Sequence, residues 1–170
     1  MSDAAAVDEA PRVGTTSNTK LHYPAIGLAG GGAIAIMGVA LGWWEYSFPV
    51  SDGVVTVVLK GTDDWTGVLC MLFGFLAIFS GIALLVDDAQ MRTIGAALGV
   101  AMALLILATA IAGLFRADSV VGIPQPLGAT LGGADLPSLV RDVSSGLYVS
   151  IVAGVIATVS SVLAVRERAA

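Results

Sequence analysis

The sequence predicts an all-α membrane protein: a bundle of four transmembrane helices, with a small extracytoplasmic β-hairpin between helices 1 and 2. Of its 170 residues, 56% are hydrophobic and only 12% are charged, whereas soluble domains carry roughly 25% charged residues. The chain also contains four apolar runs of about 20 residues, the length that crosses the hydrocarbon core of a bilayer. None of these runs contains Asp, Glu, Lys, Arg or His. The predicted spans are residues 24–43, 65–86, 93–115 and 145–165.

The N-terminal segment, residues 1–22, is polar and acidic, and we expect it to be a disordered cytoplasmic tail. A signal peptide would need a basic stretch directly before a short apolar run, which this segment lacks. Ala40 and Gly42 form a small-x-small pair after the first run, so cleavage there stays open as an alternative. The four-helix transmembrane domain is then expected to span residues 23–166.

The distribution of Lys and Arg predicts that both termini are cytoplasmic. With this orientation five basic residues lie inside and three outside, the asymmetry that the positive-inside rule describes. The inside residues are Arg12, Lys20, Arg92, Arg166 and Arg168, and the outside ones are Lys60, Arg116 and Arg141. We therefore expect an integral, multi-pass protein of the cell membrane.

Every predicted span carries a stripe of small residues. Lipid tails are as apolar as leucine, so helices in a bilayer associate through close backbone approach and hydroxyl hydrogen bonds. The stripes predict the packing of this bundle, and the alternatives are a homo-oligomer or a groove for a larger partner. The predicted helix-packing residues are Gly38, Gly42, Gly67, Gly74, Gly81, Gly95, Gly99, Gly146, Ser150, Gly154 and Thr158.

The first outer loop, residues 44–64, predicts the β-hairpin. The stretches "WEYSFPV" and "VVTVVLK" are rich in aromatic and β-branched residues, and they flank "SDG", in which Asp-Gly is a strong turn signal. Aromatic residues are common at the membrane–water interface, because their rings are amphipathic. Trp43, Trp44, Trp65 and Tyr46 are therefore predicted to anchor the protein at that interface.

The second outer loop, residues 116–144, begins as a stretch rich in Gly and Pro. From Asp135 the sequence predicts a helix that continues into the fourth span, so this helix is expected to project outward.

In the first loop, Asp64 or Thr66 can cap the second helix. A candidate outer contact surface consists of Glu45, Asp63, Asp64 and Arg141.

The layout resembles that of claudin-like tetraspan proteins. It shares with them four spans with both ends inside, a first outer loop of β character, and Trp44 followed across that loop by "WTGVLC", which contains Trp65 and Cys70. Claudins have a longer loop with two disulfide-bonded cysteines, whereas Cys70 is the only cysteine here. The resemblance implies a hairpin packed on the membrane surface over residues 45–60.

The chain offers little chemistry. Transporters and proton relays place ionisable residues inside the bilayer, and these spans contain none. The single histidine, His22, lies at the edge of the first span, and no metalloprotease, phosphate-loop or nucleophile motif is present. A net charge of -5 gives no basic surface for nucleic acid. We expect no enzymatic activity, no cofactor, no metal and no nucleic-acid partner.

These observations favour a non-catalytic membrane protein, an accessory or scaffold subunit, or a self-associating structural protein. Its partners would be the lipid bilayer and either another membrane protein or copies of itself. The alternative is an oligomeric pore for ions or small solutes, because backbone and hydroxyl groups can line a pore without any buried charge. A third hypothesis is a small enzyme or ligand carrier that uses Glu45, Asp63 and Asp64.

Overall fold

The computed structural model describes residues 18–50, 53–116 and 140–169, so most of the predicted tail and of the second outer loop lies outside the described residues. Each of its four long helices is long and apolar enough to cross a membrane. The predicted fold class, a four-helix membrane bundle with a small antiparallel sheet, is therefore confirmed. The helices are α1, Asn18–Ala40; α2, Trp65–Leu85; α3, Ala89–Arg116; and α4, Ser145–Ala169.

The four helices form a ring in which α1 packs on α2 and α4, and α3 packs on the same two helices. Backbones approach closely at glycines. A Cβ atom on Gly32 of α1 would lie 2.5 Å from the carbonyl oxygen of Gly74 in α2, and a Cβ on Gly74 would lie 2.9 Å from the carbonyl oxygen of Gly32. The centre of the bundle is filled mainly by small side chains, so the helices can pack tightly. Its fully buried residues include Leu28, Ala35, Ala77, Ala103, Ile106, Ala153 and Ala157.

Polar side chains fix the start of α2 and the turn between α2 and α3. Asp64 caps α2: its carboxylate accepts hydrogen bonds from the Thr66 backbone N–H, at 3.1 Å, and from the Thr66 hydroxyl. The short turn between α2 and α3 is fixed by Arg92, which donates to the Val86 carbonyl at 2.7 Å and forms an ion pair with Asp87. The prediction that Asp64 caps α2 is thus confirmed. The N–H groups in the first turn of a helix have no acceptor within the helix and need one of this kind.

The sheet has three antiparallel strands in the order β2-β1-β3. They are β1, Gly42–Val50; β2, Gly53–Lys60; and β3, Val140–Val143. The first two form the predicted hairpin, with Val50 paired to Gly53 across the turn. Gly53 has a φ of +150°, a conformation that favours glycine. A 3-10 turn, Gly61–Asp63, then leads into α2.

The third strand corrects the prediction of a helix projecting outward into the fourth span. Residues 140–143 are extended and pair with β1, and α4 begins only at Ser145. The local pattern favoured a helix, but β1 offers a row of backbone donors and acceptors that would otherwise be unpaired. Val143 lies opposite Trp44, and Val140 opposite Ser47. Pairing with a strand almost one hundred residues away in the chain therefore prevailed over local helix preference.

Candidate functional site

The three strands and the 3-10 turn form one unit at the end of the bundle where α1 ends and α4 begins, and we call this unit the cap. Both ends of the described chain, Asn18 and Ala169, lie at the other end of the bundle, together with the α2–α3 turn. The cap contains most of the polar and aromatic residues that the sequence identified as candidates. It is therefore the candidate functional site.

A β-bulge allows two consecutive tryptophans to face the protein interior. Neighbouring residues of a regular strand point to opposite faces, yet Trp43 and Trp44 are 0% and 1% exposed. The register between β1 and β2 shifts between Gly42 and Trp44, which is the position of the bulge. An extra residue in one strand re-aims a side chain in this way. The bulge thus gives the cap a double aromatic attachment to the bundle.

Trp43 is held in a narrow space between the cap and the helices. Its indole N–H donates to the carbonyl oxygen of Gly38, near the end of α1, at 3.1 Å. A Cβ atom on Gly61 would lie 2.7 Å from Cε2 of the ring, and one on Gly113 of α3 would lie 3.1 Å from Cζ3. A side chain at Gly61 would clash with the ring, and one at Gly113 would crowd it. Trp43 therefore closes the cap end of the bundle interior.

Trp44 and Tyr46 continue the buried face of β1. The Trp44 ring stands edge-on to Trp43, with ring centroids 5.6 Å apart and an interplanar angle of 82°, a favoured arrangement for aromatic pairs. Among the described residues, no group accepts a hydrogen bond from the buried Trp44 indole N–H. Tyr46 is buried as well. Leu59 and Val57 of β2 lie opposite these two residues and pack against the same core.

The predicted interface anchors therefore differ in their surroundings. Trp65 is 57% exposed at the start of α2, as contact with lipid headgroups requires, and its anchoring role stays a prediction. Trp43, Trp44 and Tyr46 instead pack against protein. The sequence could not distinguish these environments, because an aromatic cluster at the end of a span is common both in interfacial belts and in buried contacts.

The acidic residues of the cap serve local structure. Glu45 is half-buried and accepts a hydrogen bond from the Ser144 hydroxyl at 2.9 Å, which links β1 to the start of α4. Asp63 accepts one from the Lys60 backbone N–H at 2.9 Å, and Asp64 caps α2. Arg141 lies in β3 opposite Tyr46. In the described part of the chain no three His, Cys, Asp or Glu residues lie close enough together to hold a metal ion.

The small residues predicted to pack helices meet neighbouring elements. The contact between Gly38 and Gly146 is reciprocal: a Cβ on Gly38 would lie 2.9 Å from the Gly146 carbonyl oxygen, and one on Gly146 would lie 2.6 Å from that of Gly38. Gly42 belongs to β1, not to a helix, and contacts Val58 and Ser144. The other predicted glycines also approach another element, and they are Gly67, Gly74, Gly81, Gly95, Gly99 and Gly154.

Several hydroxyl groups of the spans donate to carbonyl groups of their own helices. Ser150 is buried and donates to the Gly146 carbonyl at 2.9 Å, and Thr158 donates to the Gly154 carbonyl at 2.7 Å. The remaining members of this set are Ser80, which donates to Leu76, Thr109, which donates to Leu105, and Ser161, which donates to Thr158.

The sequence reasoning missed the most exposed apolar part of the cap. Val54, Val55 and Val58 of β2 are 68%, 46% and 50% exposed. The signal was present in the run "VVTVV", which is more hydrophobic than a strand needs when one of its faces meets water. Only the sheet order shows that this run is an edge strand.

No model of a protein family matches this sequence, and comparison with curated proteins found no match. The functional proposal below therefore rests on the geometry of the cap and the bundle.

Proposed function

We propose that this chain is a non-catalytic integral protein of the cell membrane. It acts as an accessory or scaffold subunit that docks through its cap on a larger membrane complex or on copies of itself. One observation carries the proposal: the sheet is fixed firmly on the bundle and yet leaves the valines of β2 exposed. An apolar edge strand whose outer side pairs with no strand among the described residues favours an interaction surface, because natural sheets otherwise protect such edges.

The attachment of the cap supports this role. Trp43 is enclosed by α1, α3 and the 3-10 turn, and the sheet is joined to α4 by the hydrogen bond between Ser144 and Glu45. A surface that is already ordered before binding loses less conformational entropy when a partner docks. The cap is thus suited to be a rigid contact surface.

The polar groups of the cap favour a contact role over catalysis. Glu45, Asp63 and Asp64 each accept a hydrogen bond from the protein itself. General acid–base or nucleophilic catalysis needs a base and its partner group directed at a common point. The three carboxylates are instead used at separate positions, namely the central strand β1, the 3-10 turn and the start of α2. This distribution also speaks against the carrier hypothesis.

The competing proposal is an oligomeric pore. Hydroxyl and backbone groups that line a pore must face the channel of the assembly. Here Ser80, Ser150 and Ser161 are buried inside the protomer and bonded to their own helices. The exposed faces of the spans are formed by apolar side chains such as Leu72, Phe79 and Val159. These placements favour the scaffold over the pore.

For the orientation we propose that both termini are cytoplasmic. Four described basic residues lie at the end of the bundle that holds the α2–α3 turn, namely Lys20, Arg92, Arg166 and Arg168. Three lie at the other end, namely Lys60, Arg116 and Arg141. By the positive-inside rule this asymmetry supports an orientation with the cap outside.

Purification from the native membrane tests the proposed function. In mild detergent we expect the chain to co-purify with a partner in fixed stoichiometry, or as a complex of several copies. Recovery as a monomer under several gentle conditions would contradict the proposal. Reconstitution into liposomes tests the alternative: we expect no flux of ions or small solutes, and reproducible flux would support the pore instead.

A further inference from the structure

Strand β2 lies at one edge of the three-stranded sheet. The order β2-β1-β3 places β1 in the centre, and no strand in the described ranges pairs with the far side of β2. Natural edge strands are usually protected by charged residues, proline or a bulge. From Gly53 to Leu59 the strand has no charged residue and no proline, and it pairs with β1 in register over this length. The edge can therefore accept another strand.

The sequence of this edge is symmetric. Residues 54–58 read Val-Val-Thr-Val-Val, the same in both directions. If two copies of β2 pair antiparallel with Thr56 opposite Thr56, then Val54 lies opposite Val58 and Val55 lies opposite Val57. Every cross-strand pair is then formed by β-branched residues, which pack well on a pleated surface. An antiparallel pair of identical strands has two-fold symmetry, as the interface of a homodimer requires.

The two faces of the strand also match. Pairing with β1 places Val57 and Leu59 on the face that contacts the tryptophan core, whereas Thr56 and Val58 lie opposite Ser47 and Glu45 on the other face. The symmetric pairing joins residues of the same face, so it extends the sheet without exposing its buried side. On the open face the Thr56 hydroxyl already bonds to that of Ser47 at 3.1 Å. Two copies would continue this row of hydroxyls across the axis.

The charges permit this pairing. Lys60 is the one charged residue of β2, and it lies at the end of the strand. In the antiparallel arrangement the lysines of the two copies lie at opposite ends of the paired segment, so they do not face each other. A strand of unrelated sequence would have to supply its own matching β-branched residues, whereas a second copy supplies them by symmetry.

We propose that two copies of this chain pair through their β2 strands, antiparallel and centred on Thr56, to form a six-stranded sheet. The inference rests on the proposed function, because it names the partner that docks on the cap. It goes further by fixing which residues meet and in which register.

Cysteine crosslinking in native membranes tests the register. Residues directly opposite each other in an antiparallel pair have Cα atoms about 4.5 to 5.5 Å apart, within the range of about 4.4 to 6.8 Å that a disulfide needs. On mild oxidation we expect most of the Thr56→Cys chain to run as a dimer. The unmodified chain is the control, because its only cysteine, Cys70, is buried in α2. Thr62→Cys, at an exposed position of the 3-10 turn, controls for random collisions.

A second pair of variants keeps the test valid if Thr56→Cys does not fold. Val54→Cys and Val58→Cys, expressed together with different tags, should give a mixed dimer. Val54→Cys alone should give little, because the two copies of residue 54 are about 13 Å apart along the strand direction at about 3.3 Å per residue. A dimer of Val54→Cys alone, or equal crosslinking of Thr62→Cys, would overturn the register.

The failure of the inference and that of the proposed function are distinguishable. If neither cysteine test gives a dimer while the unmodified chain still purifies with another protein, then self-pairing is wrong and the scaffold role stands. If the unmodified chain is a monomer in the membrane, both are wrong.

Discussion

The bundle and the cap are held together in different ways. In the bundle, backbones meet at glycines such as Gly32 and Gly74, and each hydroxyl described above bonds within its own helix. In the cap, two large aromatic rings fill the space, and β3, the strand directly before α4, completes the sheet. Helix contacts in the bundle need glycines, which have no side chain, whereas the cap is held by two large side chains, those of Trp43 and Trp44.

This difference shows where a contact surface can be built in a small membrane protein. Helix contacts through glycines hold the bundle together by backbone approach. The cap uses the buried face of β1, together with Val57 and Leu59 of β2, for attachment, and it leaves Val54, Val55 and Val58 of β2 exposed. Attachment and the proposed contact surface therefore use different residues of one sheet.

The largest effect is expected when the attachment of the cap is removed. Trp43→Ala deletes a fully buried indole and its hydrogen bond to Gly38, and replacement of buried aromatic residues by alanine costs about 3 to 5 kcal/mol. We expect the amides of β2 and β3 to exchange with deuterium much faster, while those of the α2–α3 pair stay protected. Hydrogen exchange followed by mass spectrometry measures both regions in one sample.

Trp65→Ala is the matched control, because Trp65 is more than half exposed. We expect little change in exchange anywhere in the cap for this variant. Equal loss of protection in the two variants would show that Trp43 has no special role in attachment.

A smaller effect is expected when a side chain is added to the bundle. Gly32→Ala places a Cβ atom 2.5 Å from the Gly74 carbonyl oxygen, so α1 and α2 must move apart. Overpacking of this kind costs about 1 to 3 kcal/mol. Gly30→Ala is the control on the same helix, because nothing lies within 4 Å of its added Cβ. Unfolding in mixed detergent should show a loss of stability for the first variant and none for the second.

The smallest effect is expected at the link between β1 and α4. Ser144→Ala removes the hydroxyl that donates to Glu45 at 2.9 Å, and a typical hydrogen bond contributes about 1 kcal/mol to stability. We expect a modest increase in the exchange of β3 amides and no change in the bundle. An effect as large as that of Trp43→Ala would mean that the cap depends on its polar links more than on its aromatic core.

The bundle could be predicted from the sequence because its determinants are local. The length of an apolar run decides whether it can span the bilayer, and small residues at regular spacing indicate a face that can pack closely. The Asp-Gly turn and the capping of the α2 N-terminus by Asp64 also depend on neighbouring residues alone. The four spans, the hairpin and the capping of α2 by Asp64 are confirmed in the described structure, whereas Asp52 of the Asp-Gly signal lies outside the described residues.

The cap could be predicted only in part because its structure depends on distant partners. Nothing near residues 140–143 in the sequence indicates that β1 is available for pairing. The bulge that buries both Trp43 and Trp44 lies where Trp43 packs beside Gly61 and Gly113, and these glycines are distant from it in the sequence. The sequence predicts a helix contact for Gly42, whereas Gly42 belongs to β1, because the end of α1 depends on where the sheet begins.

The central claim is that the exposed edge of the cap is the contact surface of a scaffold protein. The most direct test is the mass of the particle excised from the native membrane in polymer-bounded lipid discs, for the unmodified chain and for Val58→Lys. Glu45 lies opposite Val58, and opposite charges on facing residues stabilise a strand pair, so the sheet should tolerate the lysine. An additional charge protects an edge strand from further pairing.

We expect the unmodified chain to be found in a complex, and we expect Val58→Lys to shift it to the mass of a single chain, with unchanged hydrogen exchange in the bundle. A complex of the same mass in both proteins would contradict a contact through the cap. A single-chain mass for the unmodified protein would contradict the scaffold role itself.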